Sequence, residues 1–147
     1  MKLHETQTDL DREALAIEGL CAWTRAECMK LPIQYRADYV MTRGKKPVAV
    51  VEVKGRSAKF GEYPMAFVAA HKRAEVLLLA QSMSIPAWIL YAHPNGLYLL
   101  DMSLEPEKSW IMRDSRARDI RDIEPVVGWS TKHCIQVPDD YQKQSVA

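Results

Sequence analysis

The stretch VAVVEVK, residues 48 to 54, constrains the fold of this 147-residue chain more than any other. Four of its seven residues are valine, whose branched Cβ favours extended backbone. In a strand alternate residues share a face, so Val48, Val50, Glu52 and Lys54 lie on one side and Ala49, Val51 and Val53 on the other. One face therefore begins apolar and ends in two opposite charges. The segment IQYRADYVM precedes it, and TRGKKP between them carries Gly44 and Pro47 as turn residues, so the two segments predict a β-hairpin.

Helical spacing brackets this hairpin. TDLDREALAIEGLCAWTRAECMK, residues 8 to 30, opens on Thr8 or Asp9 as N-cap and places Leu10, Ala14, Ile17 and Cys21 on one stripe, predicting a helix that ends before Pro32. Pro64 suits a first helical position, and MAFVAAHKRAEVLLLAQSM after it is apolar almost all round, predicting a second helix packed on more than one side. AWILYA and LYLLDM surround HPNG and predict a second hairpin, with His93 in a turn role. WIMRD is a candidate strand, RDSRARDIRDIE a solvated segment in which Arg116, Arg118 or Arg121 could meet phosphate, and the last residues, PDDYQKQSVA, are expected to fray.

Composition narrows the class. With 48% apolar and 27% charged residues, disorder is not expected, and no run approaches the roughly 18 apolar residues of a membrane span. The N-terminus has no apolar signal core, so a cytoplasmic location and no membrane partner are expected. Cys21, Cys28 and Cys134 form no CxxC pair; Cys21 and Cys28, seven apart on the first helix, are expected to be buried thiols rather than half of a disulfide framework. Net charge is only +1, yet residues 43 to 73 hold eight bases against two acids. That segregation fits a phosphate-binding face and equally fits solvated surface lysines.

If the first hairpin is centred near Gly44 and Lys45, partner numbers sum to about 90 and Asp38 stands directly across from Glu52. Opposed side chains have Cβ atoms about 4.5 to 5.5 Å apart, a distance at which two carboxylates repel unless a cation separates them. A hard divalent ion such as magnesium takes carboxylate oxygens, waters and phosphates as ligands, and Lys54, one step along the same face, would sit beside it. The same triplet also fits an ion pair on a solvated edge strand. Glu13 falls inside the apolar stripe of the first helix whereas Glu18 lies at its edge, so Glu13 is the acid that needs an interior partner.

Asp38 in YRADYV, then thirteen residues, then Glu52 and Lys54 in EVK, all after a helix bearing Glu13, resembles the PD-(D/E)XK nuclease superfamily, in the manner of small phage-type endonucleases and Holliday junction resolvases. The resemblance spans residues 10 to 101. It implies an α/β fold of the restriction-endonuclease-like kind, an αβββαβ core with a mixed central sheet flanked by helices, in one nuclease domain over 1–147 with its core at about 9–102 and a C-terminal extension at 103–147. It further implies a magnesium-dependent DNA endonuclease, with manganese as substitute, whose metal is held by Asp38, Glu52, the Val53 carbonyl and Glu13. Lys54 would assist the attacking water, and Lys72 on the second helix resembles an additional base near the scissile phosphate. Ala37 stands where the family motif has proline, a position that holds no metal.

On this reading Arg43, Lys45, Lys46, Arg56 and Lys59 grip the backbone of DNA, with branched DNA a candidate form, since a chain this short has little room for a separate sequence-reading domain. A homodimer would suit junction cutting. Two other classes stay open from sequence: a non-catalytic nucleic-acid-binding module with a basic face, and an α/β interaction protein whose charged triplet is structural. Trp110 and Trp129 fit stacking on bases and core packing alike.

Overall fold

The computed structural model describes residues 7–32, 37–113 and 123–141. Helix α1 (Gln7–Thr24) leads into strands β1 (Glu27–Lys30), β2 (Tyr39–Arg43) and β3 (Lys46–Gly55), then β4 (Met65–Ala69), helix α2 (Ala70–Ser82), β5 (Ala87–His93) and β6 (Gly96–Asp101). Strands β7 (Lys108–Arg113), β8 (Ile123–Ser130) and β9 (Ile135–Gln136) complete the chain. The main sheet runs β1-β2-β3-β5-β6-β9, and β4-β8-β7 form a smaller antiparallel sheet. Among the described strands of the main sheet only β3 and β5 pair in parallel, joined by the crossover through β4 and α2. It is a mixed α/β fold with helices on both faces of a mixed central sheet, as the resemblance implied.

The valine strand divides two apolar layers. Ala49, Val51 and Val53 pack with Tyr39, Met41 and Leu90 under Ala16, Ile17 and Leu20 of α1. Val50 packs with Ile89, Tyr91 and Leu100 against Val76 and Ala80 of α2 and against Ala66, Val68 and Trp129 of the smaller sheet. Burying both faces explains a nearly continuous apolar run in place of clean alternation. Val48 departs from the expected faces: a register shift between Met41 and Thr42 turns it towards the α1 layer.

Three boundaries differ from those read in sequence. The first helix stops at Thr24 rather than continuing to Lys30. Arg25 takes a left-handed φ of 56°, and the Ala26 and Arg25 amides close back on the Cys21 and Ala22 carbonyls at 2.9 and 3.4 Å. This helix-ending motif usually advertises itself with glycine, and here arginine occupies the left-handed position. The freed residues become β1, so Cys28 lies exposed on a strand while Cys21 stays buried beneath it. Burial and a hydrogen bond with the Cys28 thiol push Cys21 up to about 12.

The second helix begins at Ala70. Residues 65–69 form β4 instead, with Ala66 and Val68 buried in a period-two pattern against β8. Nor is α2 covered all round: Val76 and Ala80 are buried, but Leu78 is 55% exposed. The C-terminal segment is built into the body as far as Tyr141, and the rest of the stretch expected to fray, 142–147, lies outside the described residues. Strand β8 buries Val126 and Trp129, β9 extends the main sheet, and a 3-10 turn at Asp139–Tyr141 lies close enough to α1 that a Cβ on Gly19 would meet the Tyr141 carbonyl at 2.5 Å. The expected strand residues 33–36, and Arg116, Arg118 and Arg121, lie outside the described residues. No described helix is long and apolar enough to cross a membrane.

Candidate active site

The first hairpin turns where the sequence placed it. Gly44 and Lys45 both take positive φ, 58° and 66°, the pair of conformations a two-residue hairpin turn of matching twist requires. The ladder above it pairs Tyr39 with Val51, Val40 with Val50 and Met41 with Ala49. Continued by one residue, this register sets Asp38 against Glu52, although Asp38 lies just outside β2. Its backbone carbonyl accepts from the Leu31 amide at 2.8 Å, and its Oδ2 accepts from the Val53 amide at 2.8 Å.

That second bond fixes the local geometry. The Val50 and Arg56 amides donate to Pro86 and Ala92 on the β5 side, so the even-numbered amides of this strand face β5 and the odd-numbered ones face β2. In a ladder the amide and carbonyl of one residue point the same way, so the Val53 carbonyl also faces the β2 edge beside the Asp38 carboxylate. Glu52, paired in register with Ile89, projects to the α2 side and is only 1% exposed. Lys54 approaches it, Nζ to Oε2 3.4 Å, and lies opposite Tyr91.

Glu13 is buried, as the helical arithmetic required, and Glu18 is exposed. However, α1 covers the opposite face of β3 from Glu52. Glu13 Oε1 pairs with Lys30 Nζ at 2.7 Å, and that ammonium also stands 3.8 Å from Asp38 Oδ1. Among the described residues no three His, Cys, Asp or Glu side chains gather closely enough to hold one ion. The expected shell containing Glu13 is therefore not assembled here; Lys30, which the sequence reading passed over, links Glu13 to Asp38. Its signal was faint: one lysine in a segment that scored as helix.

Lys72 occupies the inward stripe of α2, four residues before Val76 and eight before Ala80. Because α2 returns from the C-terminal end of β3 to the start of β5, this places Lys72 at the end of the sheet that carries Glu52 and Lys54. Its Nζ is 3.9 Å from Glu75 Oε2.

The basic residues do not form one face. Lys45 and Lys46 are exposed at the hairpin turn, eight residues from Lys54 along β3, a span of about 26 Å. Arg43 donates to the Thr24 carbonyl at 2.7 Å and so caps the end of α1. Arg56 is held by the Phe67 carbonyl at 2.9 Å, with its guanidinium 4.7 Å from the Phe67 ring and 5.3 Å from the Tyr91 ring. Burial draws its pKa below the ordinary arginine value, partly offset by Tyr91. Lys59 is exposed in the loop that follows. Trp129 is wholly buried and donates to the Leu104 carbonyl, and Trp110 would collide with a side chain at Gly128, so both serve packing.

The model of the family described as "Phage putative PDDEXK endonuclease" matches residues 2–137. No curated protein matches the chain. Among solved structures, that of Archaeoglobus fulgidus Hjc, a Holliday junction resolvase from an archaeal hyperthermophile, superposes with a TM-score of 0.58 at 11% identity, covering 92% of this chain and 96% of that one.

Proposed function

The chain belongs to the family of phage PDDEXK endonucleases, and from that premise we propose that it is a magnesium-dependent DNA endonuclease directed by substrate structure rather than sequence. The observation that carries this reading is the end of β3, where a carboxylate buried to 1% exposure sits beside an ammonium while Asp38 is pinned to the next backbone amide. A buried charge is kept only where charged or hydrogen-bonding groups answer it, and here Lys54 is one that also suits chemistry at a phosphate.

The donor set fits a hard cation: two carboxylates and, by ladder parity, a backbone carbonyl, all oxygens. Asp38, Glu52 and the Val53 carbonyl would hold magnesium, which when bound supplies a positive centre for the phosphate oxygens and lowers the pKa of water. Lys54 donates hydrogen bonds from Nζ, orienting the attacking water and stabilising charge on the pentacovalent phosphate. Lys72 adds positive charge from the α2 side. Glu13 acts through Lys30, whose ammonium positions the Asp38 carboxylate, the kind of supporting role that outer partners of ligands take. Products carrying a 5′-phosphate and a 3′-hydroxyl are expected by analogy with the superfamily.

Of the five bases named from the sequence, Lys45, Lys46 and Lys59 are exposed for phosphate contact, while Arg43 and Arg56 are committed to the fold. Such contacts position a duplex without reading it. The similarity to a resolvase fold supports branched DNA as the substrate to try first. The test is incubation of supercoiled plasmid and a four-way junction with magnesium or chelator, using wild type and Lys54→Ala. Magnesium-dependent cleavage lost in the variant is expected; binding without cleavage under every metal condition would instead favour a non-catalytic nucleic-acid module.

A further inference from the structure

Beyond the catalytic ladder the molecule carries a second feature that the cleavage chemistry leaves unused. A pocket of about 200 Å³ opens where β3 ends, and its walls include Arg56, Phe60, Tyr63, Phe67, Tyr91 and His93. Five of these six residues are aromatic rings. The pocket adjoins the candidate active site directly, because Tyr91 is the register partner of Lys54 and Arg56 follows Lys54 by two residues, about 7 Å along the strand.

The walls are held in place by the second hairpin. His93 Nδ1 lies 2.8 Å from the Ala58 carbonyl, Asn95 Oδ1 accepts from the Phe60 amide at 2.7 Å, and Asn95 Nδ2 donates to the Phe60 carbonyl at 3.3 Å. Phe60 stacks on Tyr98 with ring centroids 3.6 Å apart and meets the His93 edge at 5.3 Å. Since a carbonyl can only accept, His93 Nδ1 carries the proton, which leaves Nε2 an acceptor in the neutral ring. Burial lowers the His93 pKa, the bond to Ala58 opposes that shift, and the charge of Arg56 adds to it. Tyr63 stands at the rim, 66% exposed.

We propose that this pocket receives one unstacked nucleobase of the DNA substrate, next to the phosphate engaged at Lys54. Ring faces and a stacked guanidinium are the surfaces on which single-stranded bases bind irrespective of sequence. Lys59 lines the pocket and Lys54 is the register neighbour of Tyr91 in its wall, so two cations adjoin it and the charge suits a nucleotide rather than an uncharged ring. A base inside intact duplex must first be unpaired and unstacked, whereas an unpaired one at a gap, flap or branch enters at the least cost. The inference rests on the nuclease reading of the neighbouring site and gives the structural preference a physical origin.

The experiment compares two DNA duplexes of one sequence, fully paired or with a single unpaired 2-aminopurine, binding the full-length protein in the presence of chelator. Wild type is expected to bind the second at least tenfold more tightly and to quench its fluorescence. Tyr63→Ala, a rim substitution that does not enter the core, should reduce that preference about tenfold. Equal affinities for the two duplexes in wild type, or a preference unchanged in both Tyr63→Ala and His93→Ala, would overturn the proposal. A parallel magnesium cleavage assay separates the two readings. Cleavage without the preference removes the pocket alone, the preference without cleavage removes the nuclease and keeps the pocket, and no binding to either duplex removes both.

Discussion

The two ends of β3 are built from similar residues and do opposite things with them. At the start, Lys45 and Lys46 stand exposed on a tight turn. At the end, Lys54 is drawn to a buried glutamate and Arg56 is clamped between Phe67 and Tyr91. A cluster of bases in sequence is thus not a basic patch in space, because a strand separates its ends by about 3.3 Å per residue. On the proposed reading, cations at one end serve binding, and those at the other serve chemistry and pocket building.

Substitutions at the C-terminal end should have the largest effects. Glu52→Gln and Lys54→Ala are each expected to slow cleavage of plasmid by about 10² to 10³-fold, as removal of a group that stabilises developing charge typically does. Rates within a few-fold of wild type would dissolve the distinction between the two ends.

Asp38 separates chemistry from architecture at that same end. Asp38→Ala leaves the Val53 amide without its acceptor, at a cost of about 1 to 3 kcal/mol in urea unfolding. Asp38→Asn keeps an oxygen there and should stay near wild-type stability, yet both variants should lose cleavage. Equal destabilisation of the two would mean that charge, not the hydrogen bond, holds this corner.

At the hairpin end the expected effect is on binding. Neutralising Lys45 and Lys46 together should flatten the dependence of log affinity on log salt by up to about 2 if both meet phosphates. An unchanged slope would remove that end from the DNA contact.

The smallest expected effect is on pH dependence and comes from His93. Its folded-state pKa lies below the ordinary 6.5, so the unfolded chain takes up the proton first as pH falls. The associated stability is present above pH 6.5 and is lost as pH drops through the interval below it. His93→Gln should flatten the thermal-midpoint profile in that interval, and an identical profile would contradict the assignment.

Much of the site was legible because a hairpin is local. Gly44 and Lys45 fix the turn, the turn pairs Arg43 with Lys46, and the register shift between Met41 and Thr42, which residue numbers do not announce, then brings Asp38 level with Glu52. Helix ends were harder to read. Arg25 in a left-handed conformation gives no signal that glycine would give, so β1 and Lys30 were hidden inside a helical pattern. Likewise MAFVA reads as helix until β8, some sixty residues later, offers it a partner. Propensity is weak where tertiary pairing is available.

The sequence by itself determined the charged end of a valine strand, the hairpin that faces it and the inward Glu13, because each follows from a fixed backbone period. Only the tertiary structure decided which face each acid occupies, that Lys30 joins Glu13 to Asp38, and that Phe60, His93 and Arg56 wall a common pocket. Those groups come from segments distant in the chain, and periodicity carries no information about how such segments pack across a sheet.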